Sequence, residues 1–198
     1  IRDYKVTGVQ TCALPISTGF GTQLGLAKRV LDSKNLGNGT TQITFEFKLN
    51  NLGIHPIVSP EVYDRLDQVF AAPSTFTVNA LKSNGSPALN ANYNGIGSNA
   101  QMLANNQTLS IGESYTLSLT LSFNPNGATV QKYKNSALAV VKDSLNHVLC
   151  QDSSDAGDQP DSNNNGLADE LGENDPTEFI PNTDGPLNPT LNIPNAFS

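Results

Sequence analysis

Several residue types and patterns are scarce or missing in this 198-residue chain. It has no Trp, one Met, two Cys and two His. Two cysteines cannot build the multiple-disulfide framework of small secreted domains, and no Cys or His spacing typical of a zinc site occurs. No apolar run reaches the length of about 18 residues that crosses a bilayer, so the sequence predicts no transmembrane helix.

Signatures of catalysis are also missing. The two histidines, His55 and His147, lie far apart and have no Cys or acidic residue at ligand spacing. No Gly-x-Ser-x-Gly nucleophile elbow occurs. The acidic residues between positions 17 and 150 are expected to face solvent on strands and turns, and they are Asp32, Glu46, Glu61, Asp64, Asp67, Glu113 and Asp143. The sequence therefore predicts no catalytic residues and no enzyme activity.

Charge is divided unevenly along the chain. Residues 17–150 carry nine Lys and Arg against seven Asp and Glu, whereas residues 151–198 carry ten Asp and Glu and no Lys or Arg. Nucleic-acid binding requires clustered cations, so this distribution argues against it. An acidic C-terminal segment instead favours solvation or the binding of hard cations.

Alternating apolar and polar residues dominate the middle of the chain. Residues 41–49 and 115–123 place an apolar side chain at every second position, which is typical of a strand with one buried and one solvated face. Further strands are predicted at 25–32, 59–66, 75–82, 107–111, 137–141 and 147–151, with Asn-Gly and Gly-containing turns between them. The pattern predicts an all-β chain, an immunoglobulin-like antiparallel β-sandwich of seven to eight strands with an irregular acidic C-terminal tail.

The predicted organisation has five parts. Residues 17–150 form the sandwich, 151–175 an Asp- and Asn-rich linker, and 176–190 a Pro-rich linker, because few apolar residues follow position 151. Residues 191–198 are a separate C-terminal segment. Val6 to Ile16 corresponds to a translated sequencing adapter, so residues 1–16 are interpreted as a library artefact. Cys12 then is not biological, and Cys150 is expected to stand alone as a packing residue.

Short motifs in a fixed order resemble a known class of module. They are Gly25-Leu-Ala-Lys28, Asn51-Leu-Gly53, Val62-Tyr-Asp-Arg-Leu66, Leu109-Ser-Ile-Gly-Glu113 and Asn135-Ser-Ala137, followed by an Asp-rich stretch over 152–176. In this order they resemble the conserved-repeat, Ig-like modules of giant bacterial surface proteins and adhesins. The resemblance implies a repeat module displayed in series on a cell surface.

A second resemblance lies at the C-terminus. Leu191-Asn-Ile-Pro-Asn-Ala-Phe-Ser198 is similar to the first strand of the gliding-motility-associated C-terminal sorting domain of Bacteroidota. That resemblance implies secretion by the type IX route and an extracellular or cell-surface location. It also implies that the chain is a fragment that stops just inside this sorting domain.

The strongest chemical motif is in the acidic segment. Residues 161–169 follow the order D-x-N-x-N-G-x-x-D of a calcium loop, in which Gly166 permits the sharp turn. The twelfth position is Gly172 instead of an acidic residue, and Glu173 comes one residue late. The predicted calcium ligands are Asp161, Asn163, Asn165, the Leu167 carbonyl, Asp169 and Glu173. Asp152, Asp155 and Asp158 are candidates to complete the shell, and a solvated linker without an ordered ion is the competing interpretation.

These features predict a non-catalytic structural or adhesive spacer module of a large secreted cell-surface protein, stiffened by calcium. The alternative is a carbohydrate-binding or accessory module of a secreted hydrolase. Its sugar-binding face would use Tyr63, Tyr93, Tyr115 and Tyr133, although core and edge packing is the preferred role for tyrosines in a chain without Trp. Expected partners are neighbouring repeat modules of the same chain and surface glycans or proteins, with no nucleic acid and no membrane insertion.

Overall fold

The computed structural model describes residues 21–128, 130 and 132–181, and this part of the chain is almost entirely β-structure. Its elements, in chain order, are β1 (Leu24–Gly37), β2 (Thr40–Asn51), β3 (Ile57–Val58), β4 (Glu61–Tyr63), α1 (Leu66–Val69), β5 (Thr75–Ser83), a 3₁₀ helix (Gly97–Ala100), β6 (Thr108–Leu109), β7 (Ser114–Asn124), β8 (Tyr133–Asn135), β9 (Leu138–Lys142), β10 (Val148–Ser153), β11 (Asp155–Ala156) and β12 (Thr177–Phe179). No helix in these ranges is long and apolar enough to cross a membrane.

One sheet of five strands forms the larger layer, in the order β11-β1-β2-β7-β5. Its centre is the long antiparallel pairing of β2 with β7, which aligns Phe45 with Leu119 and Phe47 with Leu117. These side chains are buried, and the residues between them are only half-buried. The alternation predicted from the sequence is therefore confirmed, and it gives the sheet one apolar face.

Three smaller sheets complete the fold, in the orders β10-β9-β4, β12-β8 and β3-β6. Strand β1 contacts β9, β10 and β12 across the layers. Most of the buried apolar residues of these strands belong to one core cluster. The prediction of an all-β, sandwich-like fold is confirmed, because each layer buries its apolar face against the other.

Three details of the predicted fold are wrong. The described residues contain twelve strands instead of seven or eight, because four very short strands carry too few residues to show a pattern. The sandwich is not purely antiparallel, since β11 pairs with β1 in parallel, with Ala27 opposite Asp155. The predicted strand at 59–66 is in fact the short strand β4 followed by helix α1.

The acidic tail is also more ordered than predicted. Strand β10 runs past residue 150 to Ser153, β11 follows directly, and β12 pairs with β8. Phe179 is buried among the aromatic rings of the core, with its ring stacked on Tyr133 at a centroid distance of 5.5 Å. The predicted linkers at 151–175 and 176–190 therefore include strands that pack on the sandwich. The predicted segments at 1–16 and 191–198 lie outside the described residues.

Cys150 differs from its prediction as well. It is fully buried in β10, and it is disulfide-bonded instead of standing alone. The other cysteine of the sequence, Cys12, lies outside the described residues.

Candidate functional site

The acidic loop, residues 157–177, begins and ends at a single point on β1. The backbone N–H of Gly157 donates to the Lys28 carbonyl at 3.0 Å, and the Thr177 hydroxyl donates to the same oxygen at 2.7 Å. Near its middle the loop lies against Gly25, where an added Cβ would come within 2.9 Å of the side chains of Pro160 and Ala168. The two ends of the loop therefore meet at its base, and the loop packs closely on β1.

The first half of the predicted calcium motif forms a tight turn around Asp161. Its two carboxylate oxygens accept the backbone N–H groups of Asn165, at 3.1 Å, and of Gly166, at 2.8 Å. Gly166 has a φ of 85°, which a residue with a Cβ adopts only with strain. The sequence correctly indicated a sharp turn at this glycine.

The two asparagines of the motif extend the same turn. The side-chain oxygen of Asn163 accepts the Asn165 N–H at 2.9 Å, and that of Asn165 accepts the Leu167 N–H at 2.8 Å. Both side-chain amides donate to the same Glu170 oxygen, at 3.1 and 2.7 Å. Glu170 was not among the predicted ligands, although its carboxylate orients both asparagines.

Glu173 closes the loop from its far end. One carboxylate oxygen accepts the backbone N–H and the hydroxyl of Ser162, at 2.8 and 2.9 Å, and the N–H of Asn163 at 3.2 Å. The residue is only 3% exposed, and its second oxygen is buried without a hydrogen-bond partner. A buried carboxylate oxygen without a donor is costly, so this oxygen of Glu173 is a potential ligand for a cation.

Asp152 and Asp169 bring further negative charge to the base of the loop. Asp152 is 1% exposed, accepts the Leu26 N–H at 2.6 Å with one oxygen and leaves the other buried without a partner. Burial, reinforced by the charges of Asp169, Asp155 and Glu173 and opposed by the hydrogen bond from Leu26, raises the pKa of Asp152 to about 8. Asp169 accepts a hydrogen bond of 2.7 Å from the Asn174 side chain.

The predicted ligands thus lie in one loop, but they do not form a finished metal cage. In the described part of the chain, no group of three or more His, Cys, Asp or Glu side chains is arranged to hold a metal ion. Instead, the oxygens of Asp161, Asn163 and Asn165 accept backbone N–H groups within the loop. All six predicted donors are oxygen atoms, the type that calcium prefers, and an accepting oxygen keeps a second lone pair for a cation.

The remaining sequence candidates are mainly structural. Tyr93, Tyr115 and Tyr133 are buried, which confirms core packing over a sugar-binding face for these three. His147 is exposed, and its Nδ1 lies 2.9 Å from Asp143, an acidic partner that the sequence reasoning overlooked four residues away. The backbone N–H of His147 and the protonatable ring beside it lower the pKa of Asp143.

One expectation about acidic residues is wrong in an informative way. Asp64 was predicted to face solvent, yet it is completely buried and forms an ion pair with the equally buried Lys28. Asn135 lies beside them. All three residues fall inside the short motifs on which the module resemblance rests, and this was the available signal for their role.

Comparisons with known proteins add little to this description. No model of a known protein family matches the chain, and no curated protein matches it. The full-length major pilin SpaD from Corynebacterium diphtheriae is similar at a TM-score of 0.38 and 12% identity, over 68% of this chain and 33% of the pilin. The N-terminal domain of PorA is similar at a TM-score of 0.30 and 10% identity, over 68% of this chain and 96% of that domain. The chain therefore spans about a third of the length of the pilin that it matches.

Proposed function

We propose that this chain is a non-catalytic structural module of a secreted cell-surface protein, and that a calcium ion stiffens its acidic loop. The observation that carries the proposal is the pair of deeply buried carboxylates, Asp152 and Glu173, each with one oxygen that has no hydrogen-bond partner. A divalent cation near these oxygens would compensate charge that the protein itself leaves uncompensated.

The position of the loop supports a mechanical role. Strand β11 precedes the loop and β12 follows it, and both strands are paired to the sandwich. Ordering the loop would therefore stiffen the point at which the chain leaves the sandwich toward the next segment. Metal binding of this kind contributes its free energy directly to the order of the segment.

The donor set fits calcium better than a transition metal. Asp161, Asn163, Asn165, the Leu167 carbonyl, Asp169 and Glu173 would offer oxygen ligands only, whereas zinc and copper favour His and Cys. Calcium would supply positive charge and coordination, without any chemical step. The residues of the chain would bind and orient the ion, and Gly25 would let the loop stay close to β1.

The test is thermal unfolding of the full chain in millimolar calcium and in chelator. We expect a higher Tm and slower proteolysis within 157–177 when calcium is present. Glu173→Gln and Asp169→Asn, which keep the side-chain size, should lose most of this shift. Asp32→Asn, at an exposed position on β1, is the matched control and should keep it.

An unchanged Tm and an unchanged protease pattern in calcium would refute the metal part of the proposal. If the calcium-dependent rise in Tm persists in both Glu173→Gln and Asp169→Asn, the ion binds elsewhere. The carbohydrate-binding alternative gains no support from the described residues, because three of its four tyrosines are buried in the core.

A further inference from the structure

A second polar cluster is buried in the core beside β1. Lys28 and Asp64 are both 0% exposed, and the Lys28 Nζ lies 2.9 Å from the Asp64 Oδ2. The Asn135 side-chain amide nitrogen lies 3.5 Å from the same oxygen, and Asn135 is 1% exposed. One carboxylate oxygen therefore touches both an amine and a carboxamide.

The surroundings of this cluster are apolar. The Lys28 Nζ lies 4.6 Å from the centre of the Phe45 ring and 4.9 Å from that of Phe47. The second oxygen of Asp64 and the side-chain oxygen of Asn135 are buried without hydrogen-bond partners. A cluster retained only for stability would be expected to satisfy these atoms, because each unmet oxygen is costly in an apolar interior.

The three groups are those required for exchange of an amide bond. A neutral amine is a nucleophile, a carboxamide has an electrophilic carbon, and a carboxyl group placed between them transfers protons. The fold holds them together in fixed positions, which removes most of the entropic cost of their encounter. Water is excluded, so hydrolysis does not compete.

We propose that Lys28 and Asn135 become joined by an intramolecular amide bond between Nζ and Cγ, with Asp64 as the acid–base residue. The Lys28 proton first passes to Asp64, which leaves a neutral amine and a carboxylic acid. Nζ then attacks Cγ of Asn135 and forms the new N–C bond. Asp64 relays a proton from Nζ to Nδ2, the Cγ–Nδ2 bond breaks, and one ammonia leaves. No oxidant, reductant or metal is required.

The electrostatics agree with this first step. Burial lowers the pKa of Lys28 to about 8, although the charge of Asp64 opposes the shift. A neutral Lys28 amine is therefore accessible near neutral pH, as it would not be for a lysine in water.

The consequence of the bond would be mechanical. Lys28 lies in β1 of the five-stranded sheet, whereas Asn135 ends β8, which pairs with β12. The bond would tie the first strand covalently to the region that also holds the end of the acidic loop. Such a link restricts the unfolded chain and resists separation of the two layers. The amide bond does not depend on calcium, so its test is independent of the test of the proposed function.

The test is mass spectrometry of the folded, full-length chain after reduction and denaturation. We expect an intact mass lower by one ammonia than the sequence requires. A tryptic digest should contain a branched peptide in which residues 135–142 are attached through Asn135 to Lys28, with cleavage after Lys28 blocked. The branched peptide is essential, because the five Asn-Gly pairs of the sequence also lose ammonia when they cyclise to succinimides.

Variants assign the roles of the three residues. Lys28→Met, Asn135→Ala and Asp64→Asn should each lose the branched peptide completely and regain the full mass. Lys82→Met, at an exposed position on β5, is the matched control and should keep the link. A folded Asp64→Asn variant that still forms the link would overturn the role of Asp64.

The wild-type result decides the proposal by itself, whether or not the variants fold. If the folded wild-type chain has its full mass and yields separate peptides ending at Lys28 and beginning at Asn135, the amide bond does not form and the proposal is wrong.

Discussion

Asp64 in the sandwich core and Asp152 at the base of the acidic loop are both deeply buried, and each has one oxygen without a hydrogen-bond partner. Their surroundings differ in charge. Asp64 faces the Lys28 amine, whereas Asp152 faces the further carboxylates of Asp169, Asp155 and Glu173. The core carboxylate thus has a basic partner close by, whereas Asp152 has other carboxylates near it. A buried carboxylate that lacks a cation must take up a proton or an ion from outside, so the tail should respond to conditions that leave the core unaffected.

Removal of the Lys28 side chain should have the largest effect. Lys28→Met leaves Asp64 buried without its basic partner and also removes the proposed link to Asn135, and we expect a loss of at least about 3–5 kcal/mol in the free energy of unfolding. Urea denaturation would measure it, with Lys82→Met as the exposed control. The double variant Lys28→Met/Asp64→Leu should recover part of the loss. Equal stability of Lys28→Met and Lys82→Met would contradict a stabilising role for Lys28 in the core.

Truncation of Phe179 tests whether the tail belongs to the core. Its ring packs against Phe45, Phe123 and Tyr133. We expect Phe179→Ala to cost about 3–5 kcal/mol, as for other large aromatic residues removed from a core. Leu171→Ala is the control within the same tail, because Leu171 is fully exposed. If the tail were only a linker, Phe179→Ala and Leu171→Ala would have the same free energy of unfolding in denaturant.

Between pH 4 and 8, the pH dependence of stability should come mainly from the tail, because the lowered pKa of Lys28 in the core takes effect above about pH 8. The pKa of Asp152 rises on folding from 3.8 to about 8, so the folded chain holds an extra proton between these values. Stability in calcium-free buffer should therefore fall as the pH rises from 4 toward 8, by a few kcal/mol at most. Asp152→Asn should flatten this part of the profile, and Asp32→Asn should not. An unchanged slope in Asp152→Asn would assign the effect to another group.

The smallest change in stability is expected where the acidic loop packs on β1. Gly25→Ala places a Cβ within 2.9 Å of Pro160 and Ala168, so the loop must move outward. We expect a cost of about 1–3 kcal/mol, the usual range for overpacking, together with faster hydrogen exchange in 157–177. Gly21→Ala is the control, since an added Cβ there meets only one atom, at 4.0 Å. Equal hydrogen exchange in Gly25→Ala and Gly21→Ala would show that the order of the loop does not depend on its contact with Gly25.

The sequence predicted the main strands because their signal is local. Residues 41–49 and 115–123 alternate strictly, and they form the centre of the five-stranded sheet. The turn at Gly166 was likewise predicted, because a positive φ favours glycine. Strands β3, β8, β11 and β12 were missed, since two or three residues carry no detectable period and β12 lies between Pro176 and Pro181.

By itself, then, the sequence determined the fold class, the longest strands and the charge of the tail, all of which follow from composition and from a period of two residues. Only the tertiary structure decided which buried charges meet. Alternation shows that Lys28 lies on a strand, but it does not show that Lys28 meets Asp64 and Asn135, which lie outside the correctly predicted strands. An acidic residue such as Asp64 is assigned to solvent by default. Its burial is evident only when the packed sheets bring Lys28 within 2.9 Å.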